Sequence, residues 1–130
     1  MAEYDLEERT FQLAKSISLF IKSLPKTIAN VEYSRQVIRS SSSVGANYIE
    51  ANESLGKKDF VMHLRISRKE AKESIYWLRL ILETNDENIA VECKKLIQEA
   101  TEIKRFFQRS LKSRNNVDLS NRLGFVFCYL

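Results

Sequence analysis

The chain has 130 residues, 44% hydrophobic and 29% charged, a composition typical of one soluble globular domain. One proline and three glycines favour long helices over a many-stranded fold. No apolar run approaches the roughly 18 residues needed to span a bilayer, and residues 1–9 are acidic, unlike a signal peptide. We therefore expect a cytoplasmic protein without a membrane partner, whose net charge of +4 biases it mildly toward anionic partners.

Apolar residues recur at helical spacing in four segments, which predicts four amphipathic helices. They cover about residues 6–23, 30–55, 57–83 and 86–112. Asp5 is the expected cap of the first helix, which Pro25 follows, and Asn30 is the expected cap of the second. Gly56 is expected to end the second helix in a left-handed conformation, and Thr84 to cap the fourth.

Each helix carries one row of core positions. The predicted rows are Leu13, Ile17, Phe20 and Leu24; Val37, Ser41, Val44, Tyr48, Ala51 and Leu55; Phe60, Leu64, Ser67, Ala71, Ile75, Leu78 and Leu82; and Ile89, Cys93, Leu96, Ala100, Ile103 and Phe107. Short connections make successive helices antiparallel neighbours. The sequence therefore predicts an all-α fold, an up-down-up-down antiparallel four-helix bundle with a short apolar C-terminal tail.

The run Ser40–Ser43 looks like a linker, but the apolar positions around it keep the spacing of one helix face. We interpret the run and Gly45 as a narrow stretch of the second helix, lying opposite Ser67 and Ala71 of the third. Leucine at position 41 or 45 is then expected to overpack the centre of the bundle.

The C-terminal segment differs from the rest of the chain. Residues 113–116 look like a loop, and residues 123–130 are almost wholly apolar. We expect this tail, residues 113–130, to pack on its own bundle or on a neighbouring subunit, because exposed it would promote aggregation.

The run from Arg39 to Ala51 resembles the central motif of a bacterial four-helix-bundle family, the 23S rRNA intervening-sequence protein or S23 ribosomal protein. Lys58-x-Phe60 and the segment 69–78, with its Tyr76-Trp77-Leu78, also match that family, and so does Leu24-Pro25-Lys26-Thr27. The resemblance covers about residues 5–112. The accessory protein of diversity-generating retroelements is similar to this family. Lys57 stands where the family often has Ser or Thr, and the tail beyond Ser113 has no counterpart in it.

The resemblance implies a ring-like homopentamer with a basic surface. It implies RNA or DNA as a partner and, for the retroelement branch, a reverse transcriptase. It implies no settled biochemical activity for the ribosomal branch.

Basic residues are concentrated on the predicted third helix. Between positions 57 and 83 there are seven basic and four acidic residues, so most of the net charge of +4 lies there. Lys58, Arg65, Lys72 and Arg79 recur every seven residues, with Lys69 on the same outward face. Such a row could follow a phosphate backbone. The alternative is a solvated face with internal ion pairs such as Lys69–Glu73. Arg35 and Arg39, on the outer side of the second helix, complete the candidate nucleic-acid-binding set.

A second basic cluster, Lys104, Arg105, Arg109, Lys112 and Arg114, closes the predicted fourth helix. Its favoured interpretation is that it complements the helix dipole at the C-terminus.

Enzymatic sites are not predicted. His63 is the one histidine, so a histidine-pair metal site is excluded, and the serine run lacks an adjacent base. Asn47, Glu50 and Glu73 are expected to hydrogen-bond between helices. We thus expect a non-enzymatic homo-oligomer without cofactor or metal that binds RNA or DNA. The alternative is a protein-interaction scaffold or accessory subunit, in which aromatic residues beside the core rows would contact a protein partner. These residues are Tyr4, Phe11, Tyr33, Tyr76, Trp77 and Phe106.

Overall fold

The computed structural model describes the backbone of residues 6–128 and the side chains of residues 6–114. Residues 6–128 form four α-helices and no strand. The helices are α1 (Leu6–Ile21), α2 (Ile28–Asn52), α3 (Lys57–Thr84) and α4 (Ala90–Cys128), with a 3₁₀ turn, Glu87–Ile89, before α4. Each helix packs on its neighbour in the chain, and α1 also packs on α4. The predicted four-helix bundle is confirmed.

Polar contacts at both ends of α2 and α3 show that these helices are antiparallel. At one end the side-chain amides of Asn30 and Asn85 donate to each other at 2.9 and 2.8 Å. At the other end Asn47 Oδ1 lies 3.3 Å from His63 Nδ1. The amide pair also joins the α1–α2 connection to the end of α3, because Asn30 donates to the carbonyl of Pro25 at 2.8 Å.

Three of the predicted caps differ from those observed. Thr27, not Asn30, caps α2, and its hydroxyl accepts from the Asn30 backbone N–H at 3.1 Å. Gly56 has φ −135° and precedes α3, so the left-handed conformation expected there is wrong. Thr84 is the last residue of α3 and donates to the Leu80 carbonyl, so it does not cap α4. Asp5 lies outside the described residues.

The core follows the predicted rows closely. Every predicted core residue of α1 and α4 and of the α1–α2 connection is buried, and so are most of those of α2 and α3. Tyr48, Phe60, Ile75 and Leu82 are half-buried, and Leu55 is fully exposed because it lies in the α2–α3 connection. Glu70, Ser74 and Ile81 are buried without having been predicted, since α3 contacts α2 over a wider face than one row.

The serine run lies inside α2, but its narrow stretch faces two helices rather than one. Ser40 Oγ lies 2.8 Å from Ser74 Oγ, and Ser67 donates to the Val44 carbonyl at 2.9 Å, so α3 approaches the α2 backbone as expected. Gly45 instead faces α1. A Cβ at Gly45 would lie 2.8 Å from Thr10 Oγ1, so the expectation that this glycine faces α3 is wrong.

Helix α4 continues through residues 113–116, where a loop was predicted, to Cys128. It has 39 residues against 28 for α3, or about 58 Å against about 42 Å. The basic cluster of residues 104–114 therefore lies in mid-helix. Because a dipole acts within the last turn, the dipole interpretation of this cluster is wrong. The predicted packing of the tail lies outside the described side chains.

Candidate nucleic-acid interface

The five predicted cations of α3 lie on its solvent side. We call Lys58, Arg65, Lys69, Lys72 and Arg79 the α3 basic row; all five are exposed. At about 100° per residue, all five positions fall on the side of α3 opposite its buried residues, so their side chains face solvent. The row extends over roughly 32 Å, since each seven-residue step rises about 10.5 Å.

No member of the α3 basic row forms an ion pair within residues 6–114. The pair Lys69–Glu73, the alternative considered for this face, is not formed, because Glu73 binds Arg39 of α2 instead. The exposed carboxylates of α3 are Asp59 near its start and Glu83 near its end. Between them the outer face carries cations without a compensating partner in the described part of the chain.

Arg39 has a different environment. Its Nη2 donates to Glu73 Oε2, and its Nη1 donates to Glu70 Oε2 at 3.4 Å. The hydrogen bond to Glu73 raises the pKa of Arg39 further above its usual range. Arg39 thus links α2 to α3 and neutralises carboxylates that would otherwise offset the row.

Glu70 is 7% exposed, and its burial raises the pKa of its carboxyl group. The neighbouring Glu73 carboxylate raises this pKa as well, whereas Arg39 and Lys69 lower it. A carboxylate on α3 is therefore turned inward beside α2, away from the basic row.

Arg35 lies one turn before Arg39 on α2 and is exposed. It forms no ion pair with any other residue in the range 6–114. The structure therefore gathers the five α3 cations in one row, and places Arg35 and Arg39 on the neighbouring helix.

The other predicted polar contacts are formed in part. Asn47 and Glu73 reach across to a neighbouring helix, as expected. Glu50 is exposed, and its side chain makes no hydrogen bond to another helix within the described residues, so that expectation is wrong. His63 is half-buried beside Asn47, which is the structural role expected of it.

Residues 6–114 contain no group of three His, Cys, Asp or Glu side chains that could hold a metal ion. In the described part of the chain, no helix is long and apolar enough to span a bilayer. Cys93 is buried, and its burial raises the pKa of the thiol to about 11. Its Sγ–H donates to the Leu78 carbonyl at 3.3 Å, so Cys93 is a core residue.

Tyr76 stands within the α3 basic row, although it was not among the predicted nucleic-acid-binding residues. It is 56% exposed, four residues after Lys72 and three before Arg79. Its ring meets that of Trp77 edge to face, with centroids 5.1 Å apart. The spacing 72, 76, 79 was the sequence signal that could have revealed this arrangement.

Most of the remaining aromatic residues are less exposed than a protein-interaction surface would require. Tyr33, Trp77 and Phe106 are half-buried and pack against the core, while Phe11 is 59% exposed. Tyr4 lies outside the described residues.

The basic cluster of α4 also reaches solvent. Arg105, Arg109 and Lys112 are exposed, and Lys104 is half-buried. Arg114 lies over the ring of Phe60, with its guanidinium carbon 4.1 Å from the ring centroid, and so contacts the start of α3.

A family comparison accounts for most of the chain. The model of the 23S rRNA-intervening sequence protein family matches residues 2–109. The chain belongs to this family. The match ends at residue 109, and α4 continues beyond it to Cys128.

A solved structure shares the same fold. It is a crystal structure of a protein of unknown function from the S23 ribosomal protein family, from Bacteroides thetaiotaomicron VPI-5482. The two chains are 26% identical with a TM-score of 0.68, over 82% of this chain and 98% of the other. No curated protein shows significant similarity to the chain. The comparisons therefore establish the family and the fold of the chain.

Proposed function

We propose that this family member is a non-enzymatic, homo-oligomeric protein that binds RNA or DNA through the α3 basic row. The observation that carries the proposal is the exposure of five cations on one helix face, none of them paired with a carboxylate within residues 6–114. Free cations at regular spacing attract a phosphate backbone without reading its sequence.

The internal contacts of the bundle support this proposal. Arg39 binds Glu70 and Glu73, so two of the four α3 carboxylates are held on the α2 side of the helix. The outer face therefore has a larger excess of positive charge than the composition of α3 suggests. Such a face attracts anionic partners over distances set by the Debye length.

Homo-oligomerisation is part of the proposal, and the resemblance to the S23 family suggests a pentamer. An exposed apolar stripe on α2 supports self-association. We call Val31, Ile38 and Ile49 the α2 stripe; they are 39%, 39% and 47% exposed and share one helix face, on which the polar residues Arg35 and Ser42 also lie. Linked copies of a weak basic face bind by avidity, which compensates for the small charge of each copy.

Charge reversal tests the binding face. We expect K58E/R65E/K72E/R79E to abolish retention of a labelled oligonucleotide at low salt, because each change replaces an attractive charge by a repulsive one. For the parent protein, log K should fall with log salt with a slope of about −0.7 per single-strand phosphate contact, so that five contacts give about −3.5.

The matched control is K15E/K22E/K26E/K94E, which reverses four exposed lysines outside α3. Both variants change the net charge from +4 to −4, since each reversal subtracts two units. We expect the control to bind with a slope within about one unit of the parent's. Equal loss in both variants, with melting temperatures unchanged, would show that net charge and not the α3 basic row governs binding.

The second candidate is a protein-interaction scaffold or accessory subunit, for example of a reverse transcriptase, without direct binding of nucleic acid. The apolar stripe of α2 favours it, because an exposed apolar helix face suits a protein interface. The same assay discriminates between the candidates. If the pure parent protein fails to retain either RNA or DNA at low salt, the scaffold is supported and the first proposal is overturned.

A further inference from the structure

We infer that Tyr76 stacks on an unpaired base, so that the ligand of the α3 basic row is a single strand rather than a duplex. This inference rests on the proposed function and assigns its substrate class. It starts from one observation, an exposed aromatic ring placed between two cations of the row.

The position of Tyr76 suits contact with a strand that follows the row. On a helix, residues three and four apart are neighbours, so the ring lies next to both Lys72 and Arg79. Lys69, seven residues before Tyr76, lies on the same face. A strand whose phosphates contact these cations would therefore bring its bases within reach of the ring.

The ring is exposed but supported from one side. Its edge-to-face contact with Trp77 has an interplanar angle of 78°. Trp77 in turn packs against the core and lies 6.2 Å from the Tyr33 ring, at 30°. The contact with Trp77 holds the tyrosine ring from one side while 56% of the residue stays exposed, which reduces the side-chain entropy to be lost on binding.

The hydroxyl of Tyr76 has no hydrogen-bond partner within residues 6–114. The exposed tyrosine is therefore explained neither by core packing nor by a polar contact of its own. Aromatic rings along a basic groove are the means by which proteins bind single strands without sequence preference, because every base has a flat face. In a duplex those faces are stacked on one another.

The test uses an RNA strand of about twelve nucleotides, its DNA equivalent, and the blunt DNA duplex of the same sequence, each followed by fluorescence anisotropy at low salt. We expect Tyr76→Ala to weaken single-strand binding by roughly 5- to 150-fold. Binding to the duplex should not change. Tyr76→Phe keeps the ring and should bind like the parent.

Two readouts separate stacking from a merely structural role. Tyr76→Ala should leave the salt slope unchanged because no charge is lost, whereas Lys72→Ala should reduce its magnitude by about 0.7. The fluorescence of Trp77, the one tryptophan of the chain, should respond to single strands in the parent and much less in Tyr76→Ala. Phe11→Ala, which removes an exposed aromatic ring from α1, is the matched control. It should change the affinity neither for single strands nor for the duplex.

The outcomes distinguish this inference from the proposed function. If the parent binds no oligonucleotide, both are overturned. If it binds and Tyr76→Ala binds single strands equally well, only the stacking role is overturned. If Tyr76→Ala loses the same affinity for the single strand and for the duplex, the stacking role is also overturned. Tyr76→Leu, which keeps the apolar volume, covers the case in which the alanine variant is unstable, and it should show the same selective loss.

Discussion

At the scale of single residues, the approach of α1 to α2 depends on Gly45. Thr10 is fully buried on α1, and its hydroxyl donates to the carbonyls of Leu6 and Glu7 at 2.9 Å. A Cβ at Gly45 would lie 2.8 Å from Thr10 Oγ1 and 3.2 Å from Thr10 Cβ. A glycine that weakens an isolated helix is therefore needed where α2 meets α1.

We expect the methyl group added by Gly45→Ala to cost about 1 to 3 kcal/mol through overpacking. The gain of about 1 kcal/mol that alanine brings to a helix interior offsets part of this cost, so we expect a net loss of stability of up to about 2 kcal/mol. Thermal and urea unfolding measure the change.

The double variant Thr10→Ala with Gly45→Ala identifies the cause. It removes the atom nearest to the new methyl group, so its loss should be smaller than the sum of the two single losses. Additive losses, or a Gly45→Ala protein that melts at or above the parent temperature, would contradict a contact between these residues.

At the scale of elements, α2 and α3 are joined by polar groups as well as by the core. Ser40, Ser67 and Ser74 bridge their centres, and Arg39 binds the carboxylates of Glu70 and Glu73 at the edge. Because Glu70 is buried and beside Glu73, its pKa is raised in the folded state. A carboxyl group whose pKa is higher in the folded than in the unfolded protein stabilises the fold at pH values below its pKa in the unfolded protein. This contribution is lost as the pH rises through its pKa in the folded protein.

We therefore expect Glu70→Gln to gain stability relative to the parent as the pH rises. The two proteins should differ by a constant amount below the ordinary carboxyl pKa of 4.5, where Glu70 is protonated in both states. Melting temperatures at about pH 4 and about pH 7 measure the change.

Glu83→Gln is the control for this pH dependence, because Glu83 is an exposed carboxylate of α3 without an ion pair in the range 6–114. It controls for the removal of one carboxylate from α3. A parent protein that gains stability over Glu70→Gln between pH 4 and pH 7 would show that pairing with Arg39 outweighs burial.

At the scale of the whole molecule, the proposed assembly and the proposed binding are linked. The α2 stripe carries exposed Ile38 and Ile49, and the basic row lies on the next helix, so copies that meet through α2 would each present one α3 row. We expect Ile38→Glu with Ile49→Glu to reduce the mass in solution to that of a monomer and to weaken oligonucleotide binding about 100-fold by loss of avidity.

Leu19→Glu with Val91→Glu is the matched control, because these residues are 55% and 69% exposed on α1 and α4. Light scattering after size-exclusion chromatography should give the parent mass for this control. A parent protein that is itself monomeric, or a stripe variant of unchanged mass, would be inconsistent with self-association through α2.

Periodicity alone determined the number of helices and most of the core, because each helix has to bury one face and the apolar residues mark that face. Every residue of the predicted rows of α1 and α4 is buried, although Leu6, Thr10 and Leu111 are also buried and were not predicted. The exposure of the α3 cations followed from the same argument, since positions opposite a buried row face solvent.

Only the tertiary structure decided which groups meet across helices. It directed Gly45 toward Thr10 and Glu73 toward Arg39, neither of which follows from spacing within one helix. It also showed α4 continuing past residue 113, where local turn preferences had indicated a loop. Helical spacing specifies the face on which a residue lies, but the relative rotation of two packed helices sets its partner, and that rotation depends on both surfaces at once.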